Sequence, residues 1–306
     1  MLIAASVLAH DGAPVQPHDV WSAWRFDPFV LVGLLVAAAL YVTGCRSLRN
    51  SQCQTGAFLG GLAVIALALL SPIDAMSAVL MSAHMVQHVL LMFVAAPLIA
   101  VSVPGPVLLR GLPTSVRRRF VSTRHAFGLV HGLHWLRDPL RRWLLFVAVL
   151  WLWHASLLYE AAVANDWVHI VEHASFIATA LLLWSSILGT RRSRLPDGLG
   201  VLAVFSLMMQ GVVLAALITF SQFSWYEPYA RGAPGWGIDA LTDQRLAGLL
   251  MWFPTSLIHL IIAGVLLANV VAESTGPSRR TVVEARSVPV GALGSQAPAA
   301  RRSSRR

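Results

Sequence analysis

The stretch SAHMVQHVLLMFVAAPL, residues 82–98, sets two histidines four residues apart inside a run otherwise apolar enough for the interior of a lipid bilayer. Whether this run is a soluble core helix or a membrane span decides the fold, and composition separates the two. Hydrophobic residues make up 57% of the chain and charged residues 12%, with a mean hydropathy of +0.67. An ordinary soluble domain carries about 25% charged residues. The chain reads as a membrane protein.

A helix that crosses hydrocarbon needs about 20 mostly apolar residues. Working outward from residues 82–98, seven such runs occur, at 27–45, 57–73, 79–101, 142–164, 167–189, 199–222 and 245–272. They predict an all-α polytopic bundle of seven transmembrane helices over residues 27–272. An outer N-terminal tail, 1–26, precedes it; its apolar start, MLIAASVLA, is part of a signal segment or of an uncleaved tail. The arginine-rich tail, 273–306, is built largely of Ser, Pro, Gly and Ala and is expected to be disordered.

Charge predicts the orientation. Every basic residue is arginine: Arg46 and Arg49 follow the first run, Arg110, Arg117, Arg118, Arg119, Arg124, Arg137, Arg141 and Arg142 lie between the third and fourth, and Arg191, Arg192 and Arg194 between the fifth and sixth. The opposite connections carry mainly Asp74, Asp166, Glu227, Asp239 and Asp243, with Arg231 the exception. Because cytoplasmic loops collect positive charge, the N-terminus is expected outside and the C-terminus in the cytoplasm. The net charge of +9 is then a topology signal, and no nucleic-acid partner is expected. Cys45 and Cys53 match no common ligand spacing.

With the orientation set, polar residues can be placed by depth, at about 1.5 Å per helical residue. His84 and His88 then lie roughly 7 to 14 Å below the outer end of the third span. His169, Glu172 and His173, in WVHIVEHASF, occupy the first two turns of the fifth, and His154, in WLWHASLLYEAA, sits at a similar level in the fourth. Five histidines on three helices thus meet in one half of the membrane. Met81, His84, Met85, His88 and Met92 share one helical stripe, and His169, Glu172, His173 and Phe176 share another.

Intramembrane ionisable groups usually mark function rather than packing. Imidazole and thioether together suit copper, with Met81 and Met85 favouring Cu(I), whereas imidazole with Glu172 suits zinc or iron as well. The residues therefore point to a site for copper that passes its ion on by ligand exchange. Two further classes stay open. One is an intramembrane zinc-dependent hydrolase with Glu172 or Glu160 as base. The other is a haem-binding membrane cytochrome with two facing histidines as axial ligands. Met92 and His259 read as packing, and Asp74, Met76, Asp166 and Glu160 as an access path from outside.

Three stretches, HMVQHVLLMFVAAPLIAVSVPGPVLLRGLP, WHASLLYEAAVANDWVHIVEHASFIATALLLWSSI and DQRLAGLLMWFPTSLIHL, resemble the multi-pass cytochrome c oxidase assembly factor CtaG family, associated with caa-type oxidases. The resemblance implies a protein of the bacterial cytoplasmic (inner) membrane, not an enzyme, that helps mature the copper centres of a terminal oxidase. Oxidase subunits would be its acceptors and membrane lipid its surroundings, with self-association left open. Family members carry proline soon after the histidine of span four, where this chain has Ala155 and Ser156, so the resemblance alone implies no kink there. Asp243 and Gln244 of DQRL are expected to close the site from a fourth side, the alternative being that Thr242 or Asp243 caps the seventh helix.

Overall fold

The computed structural model describes residues 15–48, 52–126, 135–190 and 194–275. The signal-like start, His131 and His134 of the arginine-rich loop, the tail from residue 276, and the side chains of Cys53 and His125 lie outside that description.

Among the described residues all regular structure is helical: α1 (Pro28–Leu48), α2 (Gln52–Leu70), α3 (Pro72–Ser77), α4 (Met81–Val89), a π-helical turn (Leu90–Ala95), α5 (Ala96–Val101), α6 (Pro104–Gly111), α7 (Thr114–Ala126), α8 (Pro139–Trp153), α9 (Ser156–Ala164), α10 (Asp166–Leu188), α11 (Asp197–Thr219), α12 (Tyr229–Gly232) and α13 (Ala240–Thr275), with short 3-10 turns at Val20–Ser22 and Ala233–Trp236. Five stretches are long and apolar enough to cross a membrane: Pro28–Ser47, Met81–Val101, Asp166–Leu188, Asp197–Thr219 and Ala240–Thr275. They make the chain a membrane protein.

The seven expected runs do not become seven full-length helices. Two fall short for local reasons. In the second, the apolar helix Gln54–Leu70 ends where the Ser71 hydroxyl accepts the Ile73 N–H at 3.3 Å and Pro72 opens α3. The fourth is a pair, Pro139–Trp153 and Ser156–Ala164, bent by 73° at a break after Trp153. In the other direction, α13 runs on to Thr275, beyond the expected end of its run.

The histidine-bearing helix sits at the centre. Most of the Met81–Val101 span is buried within the protein, against a small part of α13, because α2, α3, α10 and α13 all pack on it. Its middle is a π turn, and the sequence explains why. Where the Ala96 N–H reaches back five residues to the Leu91 carbonyl, the next residue in that register would donate to Met92. That residue is Pro97, which has no N–H. The indole of Trp184 on α10 supplies the missing donor, Nε1 to the Met92 carbonyl at 2.9 Å. Trp184→Phe deletes this donor and leaves part of the larger indole's volume empty, and is expected to destabilise the fold by about 2 kcal/mol or more. Denaturant titration in micelles measures the loss; an unchanged midpoint would contradict the assignment.

The start of α4 is fastened from another helix. Leu80, at the cap position, has no side chain that accepts hydrogen bonds, and the N–H groups of Met81 and Ser82 donate instead to the Asp243 carboxylate of α13, at 2.6 and 3.2 Å. The beginning of α13 uses Asp239, whose Oδ1 accepts the Thr242 N–H at 2.9 Å. Asp243 thus caps α4, not its own helix. Gln244 accepts the Trp225 N–H at 2.7 Å and donates to the Ile218 and Phe223 carbonyls, which pins the connection after α11.

Two side-chain ties align α8 with α10. Arg142 Nη1 donates to Ser185 Oγ at 3.1 Å and Ser186 Oγ at 2.9 Å, and Trp153 Nε1 donates to Ser175 Oγ at 2.8 Å. They set His154, at the end of α8, level with the histidines of α10.

Candidate metal centre

The elements that carry the polar residues are each built to hold them. Asn165 Oδ1 accepts the N–H groups of Trp167 and Val168, fixing the start of α10 so that His169, Glu172 and His173 fall on one face, three and four residues apart. His154 ends α8 without a proline. Its ring Nδ1–H donates to the Leu150 carbonyl at 2.7 Å, a group the helix break leaves open, and its own carbonyl accepts the Tyr226 hydroxyl at 2.8 Å. A kink of 73° therefore occurs at Ala155 with no proline to impose it.

His84, His88, His154, His169, His173 and Glu172 come together. His84 Nε2 and His88 Nε2 stand 2.9 Å apart. Glu172 directs Oε2 to His84 Nε2 at 3.6 Å and Oε1 to His88 Nε2 at 3.7 Å. Ring centroids lie 4.2 Å apart for His169 and His173, 5.3 Å for His84 and His169, 5.2 Å for His88 and His173, and 6.4 Å for His88 and His154. Ligand atoms of His84, His169, Glu172 and His173 all fall within 4.8 Å of one another.

The buried atoms fit a metal ion. Glu172 is fully buried and neither carboxylate oxygen makes a hydrogen bond, nor do His88 Nδ1, His154 Nε2 and His173 Nε2. A carboxylate taken out of water without partners costs several kcal/mol unless a cation compensates it. His154 already commits Nδ1–H to a carbonyl, so its Nε2 carries the lone pair a metal needs, the arrangement common to metal-bound histidines.

His84 is set the same way by residues that sequence reasoning missed. Tyr229, from α12, brings its hydroxyl to 3.2 Å from His84 Nδ1, 3.3 Å from the Ser77 carbonyl and 3.1 Å from the Tyr159 hydroxyl. Burial pushes the Tyr229 phenol well above its ordinary pKa, so the group keeps its one proton. The arrangement that satisfies every partner sends this proton to Ser77, whose carbonyl can only accept. Tyr229 then accepts from Tyr159 and from His84 Nδ1–H, and His84 Nε2 is left with its lone pair. The rings of Tyr159 and Tyr226 pack at 4.2 Å between centroids, tilted by 37°. These are three of the chain's four tyrosines, and that concentration around one end of the bundle was the only sequence signal of their role.

Residues 39–273 match the family described as cytochrome c oxidase caa3 assembly factor (Caa3_CtaG), a range that contains every residue of the cluster. The chain belongs to that family. Curated relatives of this Caa3_CtaG chain include uncharacterized proteins of Mycobacterium bovis (Mb0105) and Mycobacterium tuberculosis (MT0111). Each is 27% identical over 251 residues, covering 78% of this chain but 38% of the relative, so the chain spans about two fifths of their length. No solved structure matches the chain at a significant level.

A cleft of about 610 Å³ joins the cluster of this Caa3_CtaG protein to the surface. Arg25, Asp27, Asp74 and Asp166 line its mouth, and His84, His169 and His173 its floor. Asp74 and Asp166 were expected on such a path; Met76 and Glu160 are not among the lining residues. Asp74 is held by Gln87 Nε2 at 2.9 Å and Arg25 Nη1 at 3.8 Å. Met81, Met85 and Met92 are buried in the apolar core, and His259 packs against the rings of Phe93 and Trp184.

Proposed function

We propose that this Caa3_CtaG protein binds copper through His84, His88, His154, His169, Glu172 and His173, with Met81 or Met85 as further soft ligands, and hands the ion to a copper-accepting subunit of a terminal oxidase. The single observation that carries the reading is Glu172: a carboxylate buried among apolar helices, without hydrogen bonds, facing two imidazoles at 3.6 and 3.7 Å. Copper is cargo in this reading, and the protein acts as an assembly factor without catalysing a reaction. A carrier must release what it binds, and a cluster with more donors than one ion needs lets ligands exchange one at a time.

The reading includes a bacterial cytoplasmic membrane setting with seven crossings, counting α2 and the bent α8–α9 pair. The N-terminal residues 1–26 are outside, 27–272 in the membrane and 273–306 in the cytoplasm. The arginines of α6 and α7 support that orientation, since Arg110, Arg117, Arg118 and Arg119 cluster away from the acidic mouth of the cleft. Asp27, Asp74 and Asp166 would draw cations to that mouth from outside.

A strain lacking the gene, complemented with wild type, His88→Ala or His173→Ala, tests the role through assembled oxidase activity. Wild type is expected to restore it and both variants to fail. Full rescue by both variants would defeat the metal mechanism. Metal analysis of the purified protein decides the ion: stoichiometric zinc without copper would overturn the copper assignment, and a Soret band would point to haem. Tyr229→Phe removes the acceptor that orients His84 and is expected to weaken copper binding roughly 10- to 100-fold, by chelator competition.

A further inference from the structure

We infer that the cluster contains two ion positions in series, bridged by Glu172, an arrangement that rests on reading it as a metal site. The argument starts from size. Metal–nitrogen bonds are about 2.0–2.1 Å long, so the ligand atoms of one ion lie at most about 4.2 Å apart. Six donor side chains are too many and too spread for one such sphere. The compact set is His84, His169, Glu172 and His173, whose ligand atoms fall within 4.8 Å of one another, so that a small shift of side chains gathers them on one ion. His88 and His154 stand outside it, yet each is buried; His88 turns Nε2 toward Glu172 Oε1 at 3.7 Å, and His154 keeps Nε2 without a hydrogen bond.

The two groups also differ in access. His84, His169 and His173 line the cleft, whereas His88 and His154 are not among its lining residues. Phe176 closes the second group from beside, with its ring 4.7 Å from His88 and 6.2 Å from His154. One position therefore faces the cleft, and the other lies behind it.

Glu172 belongs to both, with Oε2 toward His84 and Oε1 toward His88. A carboxylate whose two oxygens face two different imidazoles has the disposition of a bridge between ions, which in two-metal sites stand about 3.5–4 Å apart. His84 and His88 are one helical turn apart with their Nε2 atoms 2.9 Å from each other. An ion moving inward gains His88 before it gives up His84, and the Glu172 charge balances it throughout. The cleft-facing position is where cargo arrives, and the inner one holds it away from water.

The test uses the full chain purified in detergent and loaded separately with ascorbate-reduced copper(I) and with zinc(II), the bound ions being counted by native mass spectrometry. Wild type is expected to hold two ions, and His154→Ala and His169→Ala one each. A wild type that holds a single ion lost in both variants overturns the two-position arrangement and leaves the metal site standing; a wild type that holds none overturns both. A second measurement needs no variant. Wild type loaded with copper(II) is expected to give a dipolar-coupled electron paramagnetic resonance spectrum, and an isolated axial spectrum at full loading overturns the bridge.

Discussion

Glu172→Gln is expected to move stability in opposite directions with and without metal. In the metal-free protein both Glu172 oxygens are fully buried without a hydrogen bond, and a neutral amide costs less to bury than a carboxylate, so the variant should unfold at a higher temperature than wild type. With copper present the order reverses, because the ion loses the one anionic ligand of the compact set. Removing one partner of a buried charge pair costs about 3–5 kcal/mol, which corresponds to a loss of affinity of roughly 10²- to 10⁴-fold. Thermal unfolding in micelles, with and without added copper, reads both effects in one series. A variant that binds copper as tightly as wild type and gains nothing in the metal-free state would remove Glu172 from the site.

Asp243→Ala should produce a large loss of stability from outside the cluster. The Asp243 carboxylate accepts two N–H groups at the buried start of α4, and hydrogen bonds to charged groups contribute about 1.5–3 kcal/mol each. Alanine leaves both donors in an apolar interface, for a cost of about 3 kcal/mol or more. At 2–4 °C per kcal/mol for a domain of this size, the unfolding midpoint should fall by roughly 6–12 °C. Copper binding should weaken as well, since the freed turn is the one that leads into His84. Asp243→Asn keeps one acceptor oxygen and should recover part of the loss. If alanine and asparagine leave the midpoint where it was, the cross-helix cap does not hold α4.

The family and the membrane setting were legible in the chain because they depend on local pattern. Apolar runs of spanning length need no partner to be recognised, and five of seven became full-length helices. The same rule failed at residues 57–73 and 142–164 because hydropathy is blind to backbone breaks. Ser71 and Pro72 cut the first short, and the His154 ring and the Tyr226 hydroxyl stabilise a break in the second that no proline announces.

The candidate site divides in the same way. His84 and His88, like His169, Glu172 and His173, could be placed from spacing, since residues three and four apart share a helix face. The third wall, His154, was placed from depth. That Asp243 would serve α4 instead of its own helix was invisible, because the two lie 162 residues apart and a cap looks the same in sequence whichever helix it serves.

By itself the sequence determined that this protein lives in a membrane, that it carries five histidines and a glutamate at one level, and which family it resembles. The tertiary structure alone decided how those groups face one another. Contacts between helices bring together residues far apart in the chain, and no local period encodes them. Tyr229 orients His84 from 145 residues away, and Trp184 repairs the carbonyl that Pro97 leaves without a donor. The two oxygens of Glu172 could be assigned to two different histidines only once α10 had been laid against α4. What began at residues 82–98 as two costly polar groups in an apolar helix is, in the folded protein, one wall of a buried cage of imidazoles around a carboxylate.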